Sequence, residues 1–139
     1  MAIQPTAGTK ASRAKILVVE DQAIIAEDLA ETLTNWGYLV VGVALSYDEA
    51  SLMLEQLRPD LVLMDIDFHG EKSGLLATLR IQRELRVPVV CVTGCTSADL
   101  GPALAITNPM GLVPKPIDLD RLAAVIARAL RGPGRLSPI

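Results

Sequence analysis

The chain has 139 residues, half of them hydrophobic, so it can bury one core but is short for two domains. A net charge of −3, from 13 basic and 16 acidic residues with no basic block, argues against a nucleic-acid face, and apolar runs of four or five residues are too short to cross a membrane. One Trp, one Phe and two Tyr leave the core to Leu, Val, Ile and Ala, while the polar N-terminus shows no secretion signal and implies a cytoplasmic protein.

Residues 1–13 are rich in Ala, Gly, Thr and Ser and read as a disordered arm ahead of a domain spanning 14–131. The run 15–21, KILVVED, does not alternate polar with apolar, so it predicts a parallel strand buried on both faces. A helix follows, with Ile25, Leu29, Leu33 (or Thr32) and Trp36 as its inward stripe and Gly37 as its stop. The second strand is 38–45. Ser46 and Glu49 form a capping box that opens a helix with a stripe of Ala50, Met53, Leu54 and Leu57, ended by Pro59.

The run 60–65, DLVLMD, is the third strand, and Ser73 to Leu85 the third helix. VPVVCVTG, 87–94, is the fourth strand. Gly101-Pro102 interrupts the next stretch, which predicts a short or broken fourth helix starting near Pro102. A short fifth strand, 110–113, is followed by Pro114, which removes a strand N–H and is tolerated where a strand lies at a sheet edge. Asp118 caps the last helix, whose Leu122, Ile126 and Ala129 face inward and whose Arg128 and Arg131 sit at its negative end. Residues 132–139 form a tail. Five β-α repeats imply a doubly wound α/β fold of five parallel strands with right-handed crossovers.

Ligands of such sheets bind beyond the carboxyl ends of the strands. Glu20 and Asp21 follow the first strand, Asp65 and Asp67 the third, Thr93 and Gly94 the fourth, and Lys115 with Pro116 the fifth. Two carboxylates ~5 Å apart at an effective dielectric of ~20 repel by roughly 3 kcal/mol, so a shared acidic pocket needs a cation. Lys115 alone does not balance four acids, and oxygen-only donors suit Mg²⁺. Mg²⁺, an ammonium group and a Thr hydroxyl together suit a phosphoryl group. Cys91 and Cys95, with a single His in the chain, do not complete a zinc site without carboxylates and read as small buried hydrophobes.

ILVVED, DLVLMDI, PVVCVTG and Lys115-Pro116, in that order and spacing, resemble the receiver domain of bacterial response regulators, chemotaxis-regulator-like and single-domain. The resemblance spans about 14–131 and implies the flavodoxin-like (βα)5 fold with strand order 2-1-3-4-5, the order for which a chemotaxis receiver is a standard example. It implies that Asp65 is the phosphoacceptor. Asp21, Asp65 and the Asp67 backbone carbonyl would be Mg²⁺ ligands, with Glu20 acting mostly through water. Thr93 and Lys115 would contact phosphoryl oxygens, and Lys115-Pro116 would be cis. The donor would be a sensor histidine kinase or a histidine phosphotransfer protein. Water would later hydrolyse the acyl phosphate, so the protein would catalyse only its own phosphorylation and dephosphorylation.

Leu112 stands where the family often carries an inward-turning Tyr or Phe, so output needs another route. The loop after Asp65 lacks the common Met-Pro pair. Pro88, Thr93 and Gly94 are similar to receivers partnered with kinases of a Phe-Ala-Thr-Gly-Tyr subgroup, without its aromatics. No output domain is expected after 131, so the signal would pass to a downstream protein target, along a phosphorelay, or through a homodimer using the face of the fourth and fifth helices. Plainer readings stay open. Glu20-Asp21 could be a helix cap pair, Asp65 a turn residue, Thr93 strand-end polarity, Lys115 a solvated lysine and His69 an exposed loop residue. The Asp67 side chain could simply face solvent. Asp65-Ile66-Asp67 also resembles the motif of haloacid-dehalogenase-like phosphatases, but two strands precede it here and Glu20-Asp21 would go unused. The stronger rival is a receiver-like binding module that works without phosphorylation.

Overall fold

The computed structural model describes residues 13–66, 71–94 and 109–131, and each of the five apolar runs in it is a parallel strand. The strands are β1 (Lys15–Val19), β2 (Leu39–Ala44), β3 (Leu61–Asp65), β4 (Val89–Thr93) and β5 (Gly111–Pro114), in the sheet order β2-β1-β3-β4-β5. Four helices are described: α1 (Ala23–Asn35), α2 (Tyr47–Leu57), α3 (Glu71–Arg80), which runs into a π-helical segment at Ile81–Leu85, and α4 (Leu119–Arg131). This is the expected doubly wound, flavodoxin-like α/β fold. The helix expected near Pro102, the tail and nearly all of the N-terminal arm lie outside the described residues, so α4 is the fifth helix of the sequence reading. The chain divides between Val62 and Leu63, inside β3, into two compact units.

In the first unit, Ile16, Leu17, Val18 and Val19 are sealed from solvent, as a run without polar alternation requires. Lys15 N donates to the Asp60 carboxylate at 2.8 Å and Asp60 N donates to Lys15 O at 2.8 Å, which ties the entry of β3 to β1. Helix α1 buries Ala26, Leu29 and Leu33 rather than the expected Ile25, which is 38% exposed. Leu29 and Leu33 are buried as the periodicity requires, and only the first turn departs from it, with Ala26 inward in place of Ile25. Gly37 takes a positive φ of 101°, the stop expected of it. At α2 the Ser46 side chain accepts from Glu49 N at 3.1 Å, and the Glu49 carboxylate accepts from Leu45 N at 2.7 Å. The box therefore closes one residue earlier than its usual form, on Leu45 rather than on the capping Ser46.

In the second unit, Leu63, Met64 and all of β4 are buried, and Ile66 N donates to Val92 O at 3.1 Å, joining β3 to β4. Helix α3 starts at Glu71, two residues before the expected Ser73. Its inward face carries a polar residue, Thr78, whose hydroxyl donates to Gly74 O at 2.9 Å. That hydroxyl blurs the apolar stripe, and the π-helical turn after it breaks the 3.6-residue period. Helix α4 follows the sequence closely. Asp118 Oδ1 accepts from Asp120 N and Arg121 N, and Leu122, Ile126 and Ala129 are buried. Sealing Leu122 and Ile126 is worth about 1.5–3 kcal/mol each. Strand β5 is an edge strand, so the N–H that Pro114 lacks is not missed.

Candidate functional site

Four of the five strands end on, or run directly into, residues singled out by their chemistry. In the first unit Glu20 and Asp21 leave β1. Glu20 is 1% exposed. Its backbone N–H donates to Ala44 O at 3.0 Å, and its carboxylate accepts from Gln22 N at 3.0 Å. The N-cap position of α1 is Gln22, which makes no side-chain cap bond of its own.

In the second unit Asp65 ends β3, Thr93 ends β4 and Lys115 follows β5. Asp65 is 5% exposed and Thr93 1%. The hydrogen bond from Ile66 N to Val92 O brings these two strand ends level. Lys115 N donates to Thr93 O at 2.9 Å, and Lys115 Nζ lies 3.3 Å from each oxygen of the Asp65 carboxylate. The Lys115 side chain keeps 31% of its exposure against 5% for Asp65. At an effective dielectric of ~20 this pair attracts by roughly 5 kcal/mol before desolvation, which takes back much of it. A separation of 3.3 Å is longer than the usual 2.7–2.9 Å of a charge-assisted N–H···O bond, so the ammonium group bisects the carboxylate without being locked to one oxygen. The Lys115-Pro116 peptide is cis, as expected. Asp65 and Lys115 are thus neither a free turn residue nor a fully solvated lysine.

Glu20 and Asp21 in the first unit and Asp65 in the second are carboxylates of the kind that hold a metal ion. Asp67 and His69 lie outside the described residues, as does Cys95. Cys91 is buried on β4 with its sulfur 3.5 Å from the Thr78 hydroxyl. Burial pushes its thiol up to about 11, against a smaller lowering by the Thr78 hydrogen bond. A thiol that stays protonated at neutral pH is no nucleophile, so Cys91 is a core residue. Sequence reasoning passed over Thr78 and Gln82. A lone Thr or Gln inside a helical run carries no motif, and only their contacts mark them.

The comparisons agree with this geometry. Residues 16–127 match the response regulator receiver domain family, and the chain belongs to that family, the receivers of two-component signalling systems. Over 116 residues it is 33% identical to the transcriptional regulatory protein PdtaR of Mycobacterium tuberculosis, covering 84% of this chain and 56% of that protein. Over 117 residues it is 34% identical to the phyllosphere-induced regulator PhyR of Methylorubrum extorquens, covering 84% of this chain and 43% of that one. The chain thus spans about half the length of the curated relatives it matches. Among solved structures it is similar to the signal receiver domain of a modulated diguanylate cyclase from Desulfovibrio desulfuricans, with a TM-score of 0.77 and 29% identity, covering 86% of this chain and 95% of that one. It is also similar to the response regulator PhyR of Brucella abortus, with a TM-score of 0.70 and 31% identity, covering 85% and 48%. No described helix is long and apolar enough to cross a membrane.

Proposed function

We infer that the domain accepts a phosphoryl group on Asp65 from a phosphohistidine of a sensor kinase or phosphotransfer protein, in a Mg²⁺-dependent reaction in the cytoplasm. It then signals by binding a downstream protein or by relay. The observation that carries this reading is the Lys115 ammonium group equidistant from both oxygens of a buried Asp65 beside the end of β4. The donor chemistry fits the metal: Asp21, Asp65 and the Asp67 carbonyl would offer it hard oxygen atoms, and Glu20 would act through water. When bound, Mg²⁺ would neutralise charge on the phosphoryl oxygens and offset the repulsion among the acids.

One Asp65 oxygen attacks phosphorus in line. The new O–P bond forms as the P–N bond of the phosphohistidine breaks, and its electron pair returns to the imidazole. Lys115 moves from the carboxylate to a phosphoryl oxygen, and the Thr93 hydroxyl donates to another. Water later attacks phosphorus, the bond from phosphorus to the Asp65 oxygen breaks, and inorganic phosphate leaves as the carboxylate is restored. The domain catalyses only these reactions on itself.

Incubation with acetyl phosphate and Mg²⁺, read by intact mass, tests the reading. One added phosphoryl group is expected, lost in Asp65→Asn and on chelation. Unchanged labelling of Asp65→Asn would overturn the site. A wild-type chain that stays unlabelled while binding its partner would favour the phosphorylation-independent module, the reading to which Leu112 in place of an aromatic lends support.

A further inference from the structure

Strand β5 is held at both ends by different means. At its exit, Lys115 N donates to Thr93 O and Lys115 Nζ reaches Asp65. At its entry, the side-chain carbonyl of Gln82, in the π-helical segment after α3, accepts two backbone N–H groups. These are Val89 N, the first residue of β4, at 3.2 Å, and Met110 N, the residue before β5, at 3.1 Å. Met110 N also donates to Val89 O at 3.0 Å. One amide oxygen thus ties the start of β4 to the start of β5, beside the point where Gly111 pairs with Val90.

The pairing from Val90↔Gly111 to Thr93↔Pro114 is unbroken, so whatever fixes the entry fixes the exit. A slip of one residue in a strand turns every side chain to the opposite face. An edge strand of four residues, with ladder bonds on one side and a proline at its end, has little of its own to resist such a slip. We propose that Gln82 is a positioning residue, whose carbonyl clamps the entry of β5 to β4 and so sets the register that delivers Lys115 to Asp65. The functional part of this proposal rests on the phosphoacceptor reading of Asp65.

The test compares Gln82→Leu, which removes the acceptor at similar volume, with Gln82→Glu, which keeps an oxygen for both N–H groups. Two readouts are used on the full chain. In hydrogen exchange, Gln82→Leu is expected to lose protection at the Met110 and Lys115 amides beyond any change at β1, and Gln82→Glu to keep it. In labelling by acetyl phosphate at saturating Mg²⁺, Gln82→Leu is expected to slow by roughly ten- to a hundred-fold, the scale of a small misplacement of a reacting group. Gln82→Glu is expected to recover most of the rate. Because Gln82 acts through Lys115, adding Gln82→Leu to Lys115→Ala should slow labelling no further. Three results would overturn the proposal: unchanged Lys115 protection in Gln82→Leu, a uniform loss of protection across the whole chain, or rate effects that multiply in the double variant. If wild-type protein is not labelled at all, the phosphoacceptor reading fails, and the exchange experiment still decides whether Gln82 sets the register.

Discussion

The sheet has two edges, and they are built to different tolerances. At one, β2 pairs with β1 through a register that shifts between Ile16 and Leu17, so that Ile16 faces Val40 and Leu17 faces Gly42. At the other, β5 pairs with β4 without interruption. Both strands carry a glycine beneath helix side chains. A Cβ on Gly42 would lie 3.3 Å from Leu57 Cδ1 and 3.3 Å from Met53 Sδ, whereas one on Gly111 would lie 2.3 Å from Val125 Cγ1. Strand β2 delivers no residue assigned to the chemistry itself, and beyond the shift its last residue, Ala44, accepts the Glu20 N–H. Strand β5 delivers Lys115, and its register is fixed by a side-chain clamp, a helix contact and a backbone bond. The uninterrupted pairing is the one that ends beside Lys115.

The largest expected effect breaks the aim itself. Lys115→Ala should slow phosphoryl labelling by roughly a hundred-fold while leaving the protein folded, because it removes one preorganised charge from the transferring group. Labelling rates alongside far-ultraviolet circular dichroism provide the check. Next in size is the glycine pair. Gly111→Ala should destabilise by about 1–3 kcal/mol, since β-branched Val125 has few rotamers with which to yield. Gly42→Ala should cost less, about 1 kcal/mol or below, because its neighbours are the far ends of flexible Leu57 and Met53. Urea denaturation of both variants measures the difference. Restoration of Gly111→Ala by Val125→Ala would locate the clash, and equal costs at the two glycines would erase the contrast between the edges.

The strands were legible because each is an apolar run without alternation, their sheet order only through the family resemblance, and the candidate site residues because each stands at or just past the end of such a run. Ser46 with Glu49, Asp118, and the stripe of Leu122, Ile126 and Ala129 were likewise readable, since caps and periodicity are local. The inward residue of the first turn of α1 was not, although Leu29 and Leu33 were. Weighting by size favoured Ile25, while the slot takes Ala26, which depends on packing that no window of sequence contains. The start of α3 and its π-helical turn were missed because buried Thr78 breaks the apolar stripe. Gln82 was invisible for a different reason: its partners, Val89 and Met110, are 7 and 28 residues away.

Strand β4 carries a slower lever on the same edge. Burial raises the Cys91 thiol from 9.0 to about 11. Between those values the unfolded chain has lost the proton that the native state keeps. The contribution is therefore fully present below pH ~9 and is lost as the pH rises toward ~11, by roughly 1–3 kcal/mol. Cys91→Ala should be less stable at neutral pH, from the space it leaves, yet decline less steeply through this window. Denaturation midpoints across the alkaline range give the slope. A parallel decline in both proteins would mean that the thiol does not titrate in this window.

The smallest effect concerns the two turns that lead into the β3 and β4 strands. Arg58, after α2, and Arg86, after the π-helical segment, both take left-handed backbone, with φ of 46° and 59°. A side chain in that region costs about 1 kcal/mol, and glycine relieves it, less what glycine's greater freedom adds to the unfolded chain. Arg58→Gly and Arg86→Gly should each raise stability by about 0.5 kcal/mol, read as a higher urea midpoint at constant slope. The two should differ in what else they change. Arg58 precedes Pro59 in the turn into β3, whose entry is held separately by the Lys15–Asp60 bonds, and labelling there should be untouched. Arg86 sits between Gln82 and Val89, the two ends of the clamp at the entry of β4, and loosening that turn should trade a little labelling rate for the stability gained. A stabilised Arg86→Gly that labels at the wild-type rate would mean that the clamp holds β5 without help from the turn, and the tighter edge would then depend on Gln82 and Gly111 alone.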